Sequence, residues 1–238
     1  MTAKPVLILG SAPSVLAAQS WPKSQFSAIV AINNAWQVRD DWDYHIAPDD
    51  FPAERGPQAL RTGQKRITSA DYVSANNSFG GILYAGGTMA FTTGYWALSA
   101  LTPAAMVFAG CDMVYPSGSN THFYGQGTAD PLRKDITLRN LEAKSARLML
   151  HAANQGCTCL RASTGESRLV FPSVTAQELA RPRKIEIGSN KAQFDEIKTR
   201  ETALGYFVPS GRYWQSQKPV CTAKLDALDA AWLGAVVT

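Results

Sequence analysis

The sequence predicts an α/β fold of Rossmann-like type: a mostly parallel sheet with helices on both faces, plus a small helical appendage at the C-terminus. Three observations predict it. Short, continuous apolar runs recur along the first two thirds of the chain, small or polar residues end each of them, and helix-compatible segments lie between them. Runs that are apolar throughout belong to strands buried on both faces, and strands alternating with helices make parallel sheets.

Pro5 to Leu9 (PVLIL) is the first run, followed by the turn Gly10-Ser11-Ala12-Pro13-Ser14 and the helix-compatible Val15 to Gln19. Ser27 to Ile32 is the second strand and ends at Asn33-Asn34. Tyr44 to Ala47 is the third, stopped by Pro48-Asp49-Asp50, and Lys65 to Ser69 is a fourth. Ser74 to Gly81 reads as a loop rich in Gly, Asn and Ser. Gly86-Gly87-Thr88 then opens a long apolar helix, Met89 to Leu101, with Thr88 as its cap. Pro103 breaks that helix, and Ala105 to Ala109 is a central strand ending at Gly110-Cys111-Asp112. Ile136 to Asn154 reads as an amphipathic helix closed by Gly156, and Cys157 to Arg161 as a further strand ending at Ser163-Thr164-Gly165. Beyond Val174 the pattern weakens to a short helix at Ala176 to Ala180, a basic link, a polar helix at Asn190 to Ala203 and an apolar helix at Thr222 to Leu233. The expected division is residues 1–175 as a Rossmann-like domain, the one that carries the nucleotide-binding and catalytic expectations set out below, and 176–238 as an appendage or small accessory lobe.

Composition sets bounds on function. The chain has 238 residues, 45% apolar and 18% charged, enough to bury a full core without staples. A net charge of +4 is spread thinly, with one short cluster at Arg181, Arg183 and Lys184, so nucleic acid is not an expected partner. Four cysteines have neither zinc-site spacing nor the density of a disulfide framework, and Cys111 reads as a small buried residue. No signal-peptide core and no stretch of 18 apolar residues occurs, so the expectation is a cytoplasmic protein with no transmembrane segment; a homo-oligomer is compatible with the sequence.

In parallel sheets the ligand crevice lies beyond the carboxyl ends of the strands, where these polar clusters fall. Gly10 to Ser14 has one glycine and no following lysine, so it is neither a dinucleotide fingerprint nor a P-loop. It remains a turn that offers backbone N–H groups and two serine hydroxyls to an anion, or a plain strand-to-helix turn. Asn33 and Asn34 could meet a base or ribose, or cap a turn. Asp49 and Asp50 could hold a metal or a sugar hydroxyl, or make ordinary turn chemistry. Of three histidines, His45 sits in a strand and His151 on a helix. His122 lies in a polar loop after the central strand, flanked by Tyr115 and Tyr124, and is the candidate general acid or base. Neither Ser117 nor Ser163 sits in a nucleophile elbow.

Taken in order, these clusters resemble the superfamily that joins bacterial sialyltransferases, MptE-like proteins and the motility accessory factors related to them. Ile8 to Val15 is similar to their Gly-x-Gly-Pro-Ser-Leu motif, with Ala12 in place of the second glycine. Ala31-Ile32-Asn33 is similar to a nucleotide-contacting segment, and Asp43 to Asp49 to the MptE-like pattern of aspartate, strand, aspartate. Gly86 to Gly125 resembles the family run most closely, with Asp112, Tyr115, Thr121 and His122 on family positions; Cys157 to Pro172 resembles its last strand and serine-bearing loop. The likeness covers roughly residues 5 to 175, with Ala47 at a family asparagine position and Tyr115 displaced by one residue from the phosphate-binding tyrosine.

What the resemblance implies is an inverting, metal-independent glycosyltransferase that uses a nucleotide-activated sugar such as a CMP-linked nonulosonic acid and an acceptor hydroxyl. His122 would be its base, and Tyr115 and Tyr124 would assist the leaving phosphate. Gly10, Ser11, Pro13, Ser14, Asn33, Asn34, Gly87, Thr88, Gly110, Asp112 and Ser163 would line the nucleotide site. No cofactor is expected. In the alternative, an MptE-like diphosphokinase acting on a hydroxymethylpterin-like substrate, Asp49, Asp50 and Asp112 would hold Mg²⁺. A third expectation is a non-catalytic nucleotide- or sugar-binding protein.

Overall fold

The structure, a computed structural model, describes residues 4–115, 120–125, 133–163, 165–179 and 190–236. Ser117, Thr164 and the Arg181, Arg183 and Lys184 cluster lie outside the described residues.

Six parallel strands form one sheet: β1 (Val6–Leu9), β2 (Ala28–Ile32), β3 (Tyr44–Ile46), β4 (Lys65–Ile67), β5 (Ala105–Ala109) and β6 (Thr158–Arg161), in the order β4-β3-β2-β1-β5-β6. Leu9 pairs with Ala31 on one side and Ala109 on the other, so β1, β2 and β5 end nearly level. Every residue of β1 and β2 is buried, as apolar runs in a doubly covered sheet must be.

Side-chain alternation divides these strands between two cores. Val6, Ile8, Val30, Ile32, Met106 and Phe108 face a core shared with α1 (Ser69–Asn77), α3 (Met89–Ala100) and α4 (Leu141–Asn154). Leu7, Leu9, Ile29, Ala31, Val107 and Ala109 face the other side. That side is covered thinly, by Val15 and Ala18 of a 3₁₀ segment (Pro13–Ser20), by Trp21, Phe26 and Trp42, and by Leu179 of the short α5 (Ala176–Leu179). The helix expected at Val15 to Gln19 is therefore a tighter 3₁₀ turn with Pro13 at its start, long enough to cover one stripe of sheet.

Two further expectations change. Part of the loop expected at Ser74 to Gly81 belongs to α1, because Thr68 and Asp71 form a reciprocal capping box: Asp71 Oδ2 accepts from the Thr68 backbone N–H at 2.8 Å. The helix expected at Ile136 to Asn154 is split. A 3₁₀ turn (Ile136–Leu138) is capped by Asp135, and α4 restarts under Asn140, whose Oδ1 accepts from Ala143 N at 2.9 Å.

Nor is α4 amphipathic in the ordinary sense, because Lys144 and Arg147 are 1% exposed. They face α6 (Lys191–Leu204) and α7 (Thr222–Gly234), which pack with α2 (Ile82–Ala85) around a third core of Leu83, Tyr84, Leu150, Phe194, Ile197, Leu225 and Trp232. Arg147 donates twice to Glu201, each bond 2.7 Å, and once to the Tyr95 hydroxyl at 2.6 Å; Lys144 pairs with Asp229 at 2.7 Å. Buried charges on α4 thus select acidic partners on the last two helices. The C-terminal helices share a core and two buried ion pairs with the sheet-covering layer. Among the described residues no helix is long and apolar enough to cross a membrane.

Candidate functional site

The sheet order reverses between β1 and β5, since the chain runs outward through β2, β3 and β4 and returns to the other side of β1. Such a reversal leaves a crevice beyond the carboxyl ends of the two strands. Here the chain ends are drawn together: Gly10 N donates to Ala109 O at 2.8 Å and Ala12 N to Gly110 O at 2.9 Å. A Cβ on Gly10 would run into the Gly110 carbonyl and lie 2.7 Å from Cys111 Sγ. Gly110, at φ +68°, has Val15 Cβ 2.6 Å from where its own Cβ would stand. Both positions exclude side chains, and the space they leave opens into a cleft of about 140 Å³.

Three walls of that cleft come from different elements. Gly10, Ser11 and Ala12 form the first. Thr88, Met89 and Ala90 form the second, where Thr88 Oγ1 accepts from Phe91 N at 3.2 Å and caps α3 as expected. The first N–H groups of a helix lack intrahelical acceptors and carry the positive end of its dipole, so this wall suits an anion. The third wall holds Tyr115, His122 and Tyr124. His122 is 6% exposed, stacks on Tyr124 at 4.9 Å between centroids and lies 6.1 Å from the Tyr115 ring. Thr121 Oγ1 is 2.8 Å from His122 Nδ1 and fixes the ring's orientation. The loop is pinned to the first wall, because Phe123 N donates to Ser11 O at 2.9 Å.

Asn33 closes the cleft on the β2 side. Its backbone is left-handed at φ +50°, and its buried Oδ1 has no hydrogen-bond partner. An acceptor in that state calls for an N–H or O–H donor. His45 Nε2 sits 2.9 Å from the Asn33 carbonyl, and burial holds the His45 pKa below its usual value, so the neutral ring donates to that carbonyl.

The remaining expected residues divide. Asp112 is 9% exposed and accepts from Ser14 Oγ at 2.9 Å and Ser163 Oγ at 2.6 Å. Ser14, Asp112 and Ser163 therefore brace the ends of β1, β5 and β6 instead of lining the cleft, a correction to their expected place. Pro13 and Asn34 also lie outside the cleft walls, Pro13 starting the 3₁₀ segment and Asn34 being buried beneath. Gly87, Asp49 and Asp50 line a second, larger groove of about 1060 Å³. Asp112 is thus separated from Asp49 and Asp50, and among the described residues no group of three His, Cys, Asp or Glu side chains is placed to hold a metal ion. Burial raises the thiol pKa of Cys111, Cys157 and Cys159, leaving them as packing residues.

Sequence reasoning missed the C-terminal contribution. The segment Pro209–Gln215 walls the larger groove, and the Tyr213 hydroxyl donates to Asp135 Oδ2 at 2.7 Å. Asp135 also accepts from Thr137 Oγ1 at 2.6 Å, and Thr137 Oγ1 accepts from Gly87 N at 3.0 Å, so the chain's last quarter braces the turn that starts α3. An adjacent Tyr-Trp pair in a Pro-, Ser- and Gly-containing stretch was the available signal. Asn33 and Met89 belong to both cavities, which therefore adjoin.

Compared with known proteins, the chain matches no family model, no curated protein and no solved structure.

Proposed function

We propose that the chain transfers a sugar from a nucleotide-activated donor, such as a CMP-linked nonulosonic acid, to an acceptor hydroxyl. The observation that carries this reading is the facing of His122 and two tyrosines against the Gly10 turn and the start of α3 within one small cleft. The acceptor oxygen attacks the anomeric carbon while its proton passes to His122. The bond from that carbon to the phosphate oxygen breaks, and the phosphate leaves with the bonding pair. A single displacement inverts the anomeric centre. A positioned base contributes roughly a hundred- to ten-thousandfold.

Charge builds on the leaving phosphate, where the α3 N-terminus, Tyr115 and Tyr124 can meet it with donors, so the reading requires no metal. Asn33 Oδ1 accepts from the nucleoside. The fold and the resemblance over residues 5 to 175 support the same reading. The Mg²⁺-dependent diphosphokinase has less support, because Asp112 is engaged by two serines and stands apart from Asp49 and Asp50.

Thermal shift with CMP, UDP, GDP and ATP, each with and without Mg²⁺, tests the reading, because a ligand that binds the native state alone raises its melting temperature. Stabilisation by a pyrimidine nucleotide without metal is expected. Stabilisation by ATP with Mg²⁺ alone would replace this reading with the diphosphokinase. Nucleotide binding without turnover of any nucleotide sugar would leave a binding protein.

A further inference from the structure

The larger groove lies between Pro48–Pro52, α1 and Pro209–Gln215, mostly apart from the residues assigned to the nucleotide. Tyr72 and Asn77, both on α1, line it with polar atoms. The Tyr72 ring is 7% exposed and packs in the core under α1, yet its hydroxyl makes no hydrogen bond to any described residue. Burial, and then the nearby Asp49 and Asp50 carboxylates, push its pKa to about 12, so the hydroxyl keeps its proton and acts as a donor. Asn77 Nδ2 donates to Pro209 O at 2.8 Å, while Asn77 Oδ1 is buried with no partner and remains an acceptor. Trp214, which also lines the groove, is 68% exposed, its indole set edge-on to Tyr213 at 5.2 Å between ring centroids.

These groups select by chemistry. An anion would face two carboxylates. A purely apolar ligand would leave Asp49, Asp50, Tyr72 and Asn77 without partners when it displaced water from them. A cation would meet Arg133 and Arg212, which also line the groove. Neutral hydroxyl groups both donate and accept, matching carboxylate and amide acceptors set beside a tyrosine donor, and the C–H face of a sugar ring is an apolar plate suited to an exposed indole.

We propose that this groove binds a neutral carbohydrate, its ring stacked on Trp214 and its hydroxyls shared among Tyr72, Asp49 and Asp50. Its role as the acceptor rests on the transferase reading above; the binding itself does not. Because Asn33 and Met89 wall both cavities, a hydroxyl at the inner end of the groove meets the cleft that holds His122. The C-terminal segment, outside the stretch that resembles known transferases, then sets which acceptor is taken.

Saturation-transfer NMR on the full chain without nucleotide tests this, with lactose, maltose and cellobiose as probes. At least one disaccharide is expected to receive saturation, with affinity about tenfold lower in Trp214→Ala and weakened in Tyr72→Phe. Trp214 lies outside the core, so an unchanged melting temperature is expected for its variant and separates lost binding from lost folding. No signal from any of the three sugars, equal signals in parent and Trp214→Ala, or signal from a serine-containing peptide alone would overturn the proposal. Since no nucleotide is present, none of these outcomes depends on whether His122 is catalytic.

Discussion

His45 Nε2 lies 2.9 Å from the carbonyl oxygen of Asn33 and anchors a backbone held at φ +50°. Asparagine tolerates the left-handed region better than most residues, yet still at some cost, so the bond matters for holding the Asn33 side chain at the junction of the two cavities. His45→Phe keeps the ring volume between Trp42 and Phe51 and removes the donor. Leaving a buried carbonyl unpaired costs about 1–3 kcal/mol. A lower melting temperature and about tenfold weaker nucleotide binding by titration calorimetry are expected; unchanged affinity would detach His45 from the site.

Gly10→Ala forces a methyl into the Gly110 carbonyl, and Gly110→Ala meets Val15 from a left-handed backbone. Overpacking of this kind costs about 1–3 kcal/mol, so each variant should melt several degrees lower and lose nucleotide binding. Gly165→Ala has nothing within 4 Å of the new Cβ and serves as the neutral control. Differential scanning calorimetry of the three reads the contrast.

Glu201 takes bonds from Arg147, Lys198 and Trp232, and the adjacent Arg147 charge helps hold its pKa below the usual value against the opposing effect of burial. Glu201→Gln leaves the buried Arg147 charge without its counter-ion, at a cost of about 3–5 kcal/mol. Urea denaturation should show that loss with the sheet and the α6–α7 layer unfolding together. A variant in which α6 and α7 melt alone would show that they are an independent unit.

His151 sits among Phe79, Tyr95, Phe194 and Trp232, and its Nε2 has no partner. Burial, then repulsion from Arg147 and Lys198, holds its pKa well below 6.5; His45 is lowered too. Each binds protons less readily in the fold than in the unfolded chain, so the unfolded state binds more protons below about pH 6.5 and their contribution to stability falls as pH falls. Melting temperature measured from pH 7.5 to pH 5 should decline, and His151→Phe should flatten the decline. An unchanged slope in that variant would place the acid sensitivity elsewhere.

Much of this was legible because backbone burial leaves a plain mark on sequence. The apolar runs at Val6–Leu9, Ala28–Ile32 and Ala105–Ala109 can be little else, and Gly10, Thr88 and His122 announce a tight turn, a cap and a polar loop. What remained hidden depends on partners distant in the chain. An amphipathic pattern over Ile136 to Asn154 does not reveal that Lys144 and Arg147 are buried, because their counter-charges Asp229 and Glu201 lie far along the chain. Asp112 has the sequence position of a ligand contact, but Ser14 and Ser163, 98 and 51 residues away in the chain, occupy its two oxygens. Tyr72 and Trp214 share a groove only because the chain's end folds back beside α1, and no local pattern records that return.

The most direct measurement is turnover of a CMP-linked nonulosonic acid by His122→Ala in the presence of EDTA, together with its affinity for CMP. A loss of roughly a hundred- to ten-thousandfold in kcat is expected, with CMP affinity unchanged. Turnover equal to that of the parent chain would contradict it.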